Sequence, residues 1–232
     1  MIRTFTTTLL IALALCFASE PTVATSTIAN AEILTITVPS SWMPSIIRAV
    51  DRDAFLAQPD RLLMNGGYFN NEHEPDGLVI TGSTTWGKLR DDTPYSGFVW
   101  ADPAGKMHIE RRAKPPDAPA WAIQSGPLLV EGGKSGINRS LNVAPRSVLA
   151  LKGSDLLVVR TESVGLKELS DALVAAGVEM AMNLDGGPSA DLRMRIGGVV
   201  TDRPGKAVTP YFLGFTPPLS RLSNGKSRNA DP

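Results

Sequence analysis

Two short stretches set polar side chains directly against paired glycines. They are Asn65-Gly66-Gly67-Tyr68-Phe69 and Asn183-Leu184-Asp185-Gly186-Gly187-Pro188-Ser189. Either alone reads as a turn, because Asn, Asp, Gly and Pro are the usual turn formers. Two in one chain, each after an apolar run, point to a site. Glycines let a ligand approach the backbone, and successive N–H groups in such turns can face an anion. Asp185 offers a carboxylate, and Arg146, after Pro145, offers a guanidinium for a phosphate or carboxylate. Glu72, Glu74 and Asp76 follow the first Gly-Gly pair and could supply a second carboxylate for acid–base work.

Gln124-Ser125-Gly126-Pro127 is a third polar break inside an apolar run. A serine nucleophile at Ser125 would need a base. The chain has only His73 and His108, neither with an obvious orienting partner, so that mechanism is disfavoured. His73 beside Glu72 and Glu74 is too little for a metal site. Gly132-Gly133-Lys134-Ser135 lacks the first glycine of a phosphate-binding P-loop, since Leu128 stands there.

The elements that must carry these residues are mostly short strands. Alternation over 33–38 marks a first strand, and 49–56 reads as a short helix. Apolar runs at 61–64, 78–80, 97–100, 107–110 and 122–130 are separated by Gly, Asp and Pro. Residues 147–151 and 156–160 read as a hairpin around Gly153-Ser154. Leu166, Leu169, Leu173 and Ala176 share one face of a helix that Gly177 stops. A strand over 178–185 follows, so strand, helix and strand form a βαβ crossover with parallel strands. Period two then puts Asn183 and Asp185 on one face, roughly 7 Å apart, at the carboxyl end where ligands of such units bind. The expected class is α+β, a mixed, strand-rich single domain with the crossover near its C-terminal end.

Length and composition set the bounds. The 232 residues suffice for one sizeable core. Lys+Arg and Asp+Glu balance at 23 each, which argues against nucleic acid as a partner. Arg3 and the apolar run from Leu9 to Phe17 fit a secretory signal, with Ala29-Asn30-Ala31 as a small-x-small cleavage site. We therefore expect a signal peptide over 1–31, one domain over 32–215 and a disordered polar tail over 216–232. Cys16 is the single cysteine, so the mature chain would hold neither disulfide nor thiolate site. Leu15 before Cys16 argues against lipidation. The protein is expected to be exported, periplasmic or secreted, without stable membrane insertion of its mature chain.

Taken in order, Asn65 to Phe69, Gly77, Gln124 to Leu129, Arg146-Ser147, the helix at Leu166 and Asn183 to Ser189 resemble the phosphodiester glycosidase family. The resemblance runs from about Leu62 to Leu192. It implies hydrolysis of a glycosyl-1-phosphodiester to a free sugar and a phosphomonoester. On that reading Asp185 is the base or charge stabiliser, with Glu72 or Asp76 as second carboxylate. Arg146 and the backbone at Gly66, Gly67, Gly186 and Gly187 clamp the phosphate. Asn65, Asn183 and Gln124 orient sugar or phosphate oxygens, and Ser125, Gly126 and Ser189 line the site as donors and backbone. The implied partner is a sugar phosphodiester or cell-envelope glycan. No cofactor is expected; Asp and Glu oxygens would suit Ca²⁺ or Mg²⁺, but no ligand spacing specifies one. The competing reading is a non-catalytic envelope module that binds anionic glycans or sugar phosphates.

Overall fold

The computed structural model describes residues 20–139 and 142–219. The apolar run of the expected signal, and most of the expected tail, lie outside the described residues.

Three antiparallel sheets build the described residues. The largest has seven strands in the order β1 (Thr22–Ile28), β2 (Ala31–Val38), β13 (Asp155–Gly165), β12 (Val143–Lys152), β14 (Met180–Asn183), β10 (Leu128–Glu131) and β11 (Lys134–Ser135). The second orders β16 (Val199–Arg203), β15 (Leu192–Ile196), β4 (Arg61–Asn65), β17 (Tyr211–Thr216) and β3 (Met43–Arg48). The third orders β6 (Thr84–Trp86), β5 (Val79–Thr81), β9 (Trp121–Ser125), β7 (Gly97–Ala101) and β8 (Met107–Glu110). Two α-helices are found among the described residues, α1 (Arg52–Leu56) and α2 (Leu166–Ala175).

The expected crossover is present in a modified form. Strands β13 and β14 both pair antiparallel to β12, so they run parallel to each other with β12 between them. Helix α2 joins them and buries Leu169 and Leu173 against Val148, Ala150 and Val159 on one face of the large sheet. Gly177, at φ +80°, turns the chain out of the helix. The other face of that sheet presents Ile36, Leu149, Val158 and Met182 to a central core. Leu62, Met64 and Leu213 reach this core from the second sheet, and Val79, Val99 and Ile123 from the third. The strand alternation is as expected, with Met182 and Leu184 in the central core and Ala181 under α2.

Two local expectations change. The apolar run 122–130 is two strands, and the break at Gly126-Pro127 sends the chain from the third sheet into the first. The expected cleavage motif Ala29-Asn30-Ala31 forms a hairpin turn. Ala29 and Asn30 have φ of 48° and 65°, and Ile28 pairs with Ala31. This is the geometry of a two-residue turn that favours Asn. Residues 22–28 thus stand in the fold as the edge strand β1.

Candidate active site

The three sheets meet where β4, β9 and β14 end and β12 begins, and the polar residues gather at that seam. Asn65, fully buried, holds it together. Its Nδ2 donates to Asp185 O at 2.8 Å and Gly66 O at 2.9 Å. Its Oδ1 accepts from Ser147 Oγ at 2.6 Å and Asp191 N at 3.1 Å. Both donors and both acceptor positions are used inside the protein. Asn65 therefore fixes the Asp185 turn from β4 and has nothing left for a sugar.

The first glycine pair is similarly committed. A Cβ on Gly66 would stand 2.2 Å from the Tyr211 ring, so only glycine fits beside it. Gly66 N donates to Tyr211 O at 3.1 Å and Gly67 N to Tyr211 Oη at 2.9 Å. These N–H groups do not face a ligand. Gly186 N donates to the Asp185 carboxylate at 2.8 Å, and Gly187, at φ +58°, opens a single 3-10 turn over Gly187–Ser189.

Gln124 and Ser125 also serve the fold. Gln124 Nε2 donates to Arg90 O at 2.6 Å, and its Oε1 accepts from Arg90 N at 2.9 Å and Leu78 N at 3.3 Å. Ser125 Oγ donates to Asn183 O at 2.9 Å and has no histidine among its partners. A Cβ on Gly126 would meet Pro94 O at 1.8 Å. His108 stacks on Trp100 and bonds Asp102, and His73 bonds Val208 O.

Four side chains remain with capacity for a ligand. Asn183, 2 % exposed, donates from Nδ2 to Leu184 O at 2.6 Å, Tyr68 Oη at 2.9 Å and Gly126 O at 3.3 Å. Two carbonyl acceptors fix the amide orientation, and they leave the buried Oδ1 without a partner. Tyr68 Oη donates to Gly126 O at 2.6 Å. Burial, reinforced by the charge of Asp185, pushes its phenol up to about 12, so it stays protonated.

Asp185 is partly buried. Burial raises its carboxyl above the usual range, while bonds from Ser189 and Gly186 N pull the other way. Burial, then, and not a neighbouring carboxylate, governs its acidity.

Arg146 completes the set at 7 % exposure. Its Nη2 donates to Asn142 O at 2.8 Å and Oδ1 at 2.9 Å, and Nε to Val164 O at 3.3 Å. Among the described residues no carboxylate pairs with it, and burial lowers its pKa. Its Cδ lies 3.7 Å from where a Gly186 Cβ would stand. The phenol of Tyr68 feels both Arg146 and Asp185. Arg146, with no carboxylate partner among the described residues, and the partly buried Asp185 thus both border Tyr68.

The expected second carboxylates lie elsewhere. Glu72 is exposed. Asp76 accepts from Arg90 Nη1 at 2.6 Å and Tyr95 Oη at 3.0 Å. Glu74 is exposed on the same loop. No group of three or more His, Cys, Asp or Glu residues suited to a metal ion is found among the described residues. Sequence reasoning passed over Tyr68 and Tyr211. Tyr68 was visible as the aromatic after the first Gly-Gly pair; no signal near 211 pointed back to Gly67.

The seam of this α+β fold thus gathers the buried Arg146 and Asn183 with the partly buried Asp185 and Tyr68. A family model described as phosphodiester glycosidase matches residues 61–214, well over half of the chain. The chain belongs to the phosphodiester glycosidase family. Among solved structures it is similar to the zebrafish N-acetylglucosamine-1-phosphodiester alpha-N-acetylglucosaminidase catalytic domain, auto-inhibited by its pro-peptide. The identity there is 13 %, the TM-score 0.58, and the coverage 86 % of this chain and 82 % of that one. It is also similar to a hypothetical protein from Synechocystis, at 14 % identity and TM-score 0.50, covering 84 % of this chain and 62 % of that one. At these identities the likeness is one of fold. A search of curated proteins finds no significant match.

Proposed function

We propose that this protein is an exported hydrolase that cleaves the sugar–phosphate bond of a glycosyl-1-phosphodiester. The observation that carries the reading is Arg146, a buried guanidinium with no carboxylate partner among the described residues, set beside the Asp185 turn. A buried unpaired charge is costly, and a bound phosphate would offset that cost with charge-assisted hydrogen bonds. In the reaction the anomeric carbon–oxygen bond breaks and its electron pair leaves with the phosphate. That leaving group is a stable anion, so little general acid is needed, which suits a site with one free carboxylate. Asp185 stabilises the positive charge developing on the sugar. A water oxygen then bonds to the anomeric carbon as its proton passes to the Asp185 carboxylate and from there to solvent, giving free sugar and a phosphomonoester. Asn183 Oδ1, left without a partner, accepts from a sugar hydroxyl. Asn65, Gln124 and Ser125 support this site from within the protein.

Export rests on Arg3 and the apolar run Leu9–Phe17 of the sequence. No helix among the described residues is long and apolar enough to cross a membrane.

A binding module is the second reading, favoured by the single free carboxylate where ordinary glycosidases use two. Turnover separates them. The purified protein should release free sugar from a panel of N-acetylglucosamine- and glucose-1-phosphodiesters. Asp185→Asn should abolish release. Arg146→Met should lower kcat/KM by about 10- to 100-fold, the equivalent of ~1.4–3 kcal/mol of charge-assisted binding. Failure of every substrate, with sugar phosphates still raising the Tm, would leave the binding module. A fully active Asp185→Asn would remove that residue from the mechanism.

A further inference from the structure

A cleft of about 450 Å³ lies apart from Arg146 and Asp185, lined among others by Arg48, His73, Glu74, Trp86, Thr209 and Tyr211. Two loops that leave the candidate active site wall it. One runs on from Asn65–Phe69 to His73 and Glu74. The other is tied to the Gly187–Ser189 turn by bonds from Lys206 N and Ala207 N to Pro188 O, at 2.6 and 3.0 Å, and continues to Thr209. His73 closes the two loops on each other, its Nδ1 lying 3.0 Å from Val208 O. Tyr211 serves both places, lining the cleft and accepting from Gly67 N.

The chemistry of the lining is mixed. Arg48 stands over the Trp86 ring, 5.4 Å from its centroid, and forms no ion pair among the described residues. Glu74 is exposed at the rim. Nδ1 of His73 must carry a proton to bond a carbonyl, so its Nε2 is an acceptor in the neutral ring. Thr209 is 5 % exposed, and its buried hydroxyl has no partner. An unsatisfied buried hydroxyl is costly, and a ligand hydroxyl would offset that cost. One cation and one anion on the same lining select no ionic ligand. Donors and acceptors around an indole match a sugar ring, which presents hydroxyls at its edge and C–H groups on its face. The volume lies within the range of small-ligand sites.

We propose that this cleft binds a neutral pyranose of an uncharged glycan. The proposal does not depend on the hydrolytic reading, because binding here needs neither Arg146 nor Asp185. The test titrates chitotriose, cellotriose and maltotriose into the full-length protein, read by tryptophan fluorescence and by Tm. At least one should bind, and Trp86→Ala should weaken it by about tenfold or more. Thr209→Val, which keeps the side-chain shape, should weaken it in the same direction while folding normally. Arg146→Met and Asp185→Asn should bind as wild type does. The proposal is overturned if none of the three sugars binds at up to about 20 mM, a range that reaches weak binding. Binding that survives both cleft substitutions, or disappears in Arg146→Met, would overturn it equally.

Discussion

Asp185 and Arg146 show opposite signs of the same cost, charge held away from water. For Asp185 the sign of the pH effect follows from its raised pKa. The folded state holds its proton to higher pH than the unfolded chain does. Stability from this group is therefore present below the unfolded pKa, falls as pH rises to the folded pKa, and stays reduced above it. Asp185→Asn should then leave the Tm at neutral pH equal or higher, with the difference closing in acid. A Tm at neutral pH that falls by several degrees would show the carboxylate to be structural. If ionised Asp185 acts on substrate, the acid limb of kcat/KM should lie above the range of an exposed aspartate. Both charged residues were legible as candidates because the polar Gly-Gly stretch occurs twice in the chain and because Arg146 follows Pro145 and leads an apolar run. Asn65, Gln124 and Ser125 were legible as polar breaks but not as supports. Periodicity tells which face a side chain takes, not whether its partner is a ligand or a carbonyl across the seam.

At the scale of elements, hairpins and α2 were readable because their signals are local. Gly153-Ser154 turns β12 into β13, and Leu169 and Leu173 repeat at helical spacing. The division at Gly126-Pro127 was not, since both halves of 121–131 are equally apolar and only tertiary pairing assigns them to different sheets. Ala29-Asn30 was ambiguous for a chemical reason: small residues suit a peptidase and a tight turn alike. Strand β1 pairs with β2 along all seven of its residues. If β1 belongs to the mature fold, processing occurs before Thr22. If the chain is exported as proposed, mass spectrometry of the processed protein should find an N-terminus upstream of that residue. An N-terminus at Ala31 or Glu32 would show that β1 is discarded and that β2 becomes the sheet edge.

Across the whole molecule, one core joins three sheets, and β17 is central to the second of them. It pairs with β3 on one side and β4 on the other, and it carries Tyr211, Leu213 and Phe215 into the core. A chain ending at Pro210 would leave β3 without its partner and remove several large buried side chains, each worth ~2–5 kcal/mol. That exceeds the stability of most domains. Such a chain should show no cooperative thermal transition by circular dichroism; a transition near that of the full chain would show β17 to be dispensable. Sheet membership at this scale was not legible, because nothing in residues 43–48 names residues 211–216 as their partner.

That pairing of distant segments has a consequence in time. Strand β2 meets β13 across more than a hundred residues, and β3 meets β17 across still more. Loop closure over such separations makes folding slow, and it cannot be completed until the last strand has been synthesised. During synthesis the chain carries its early strands with their partners still unmade. A polypeptide in that state is one a secretory channel could thread before the sheets lock.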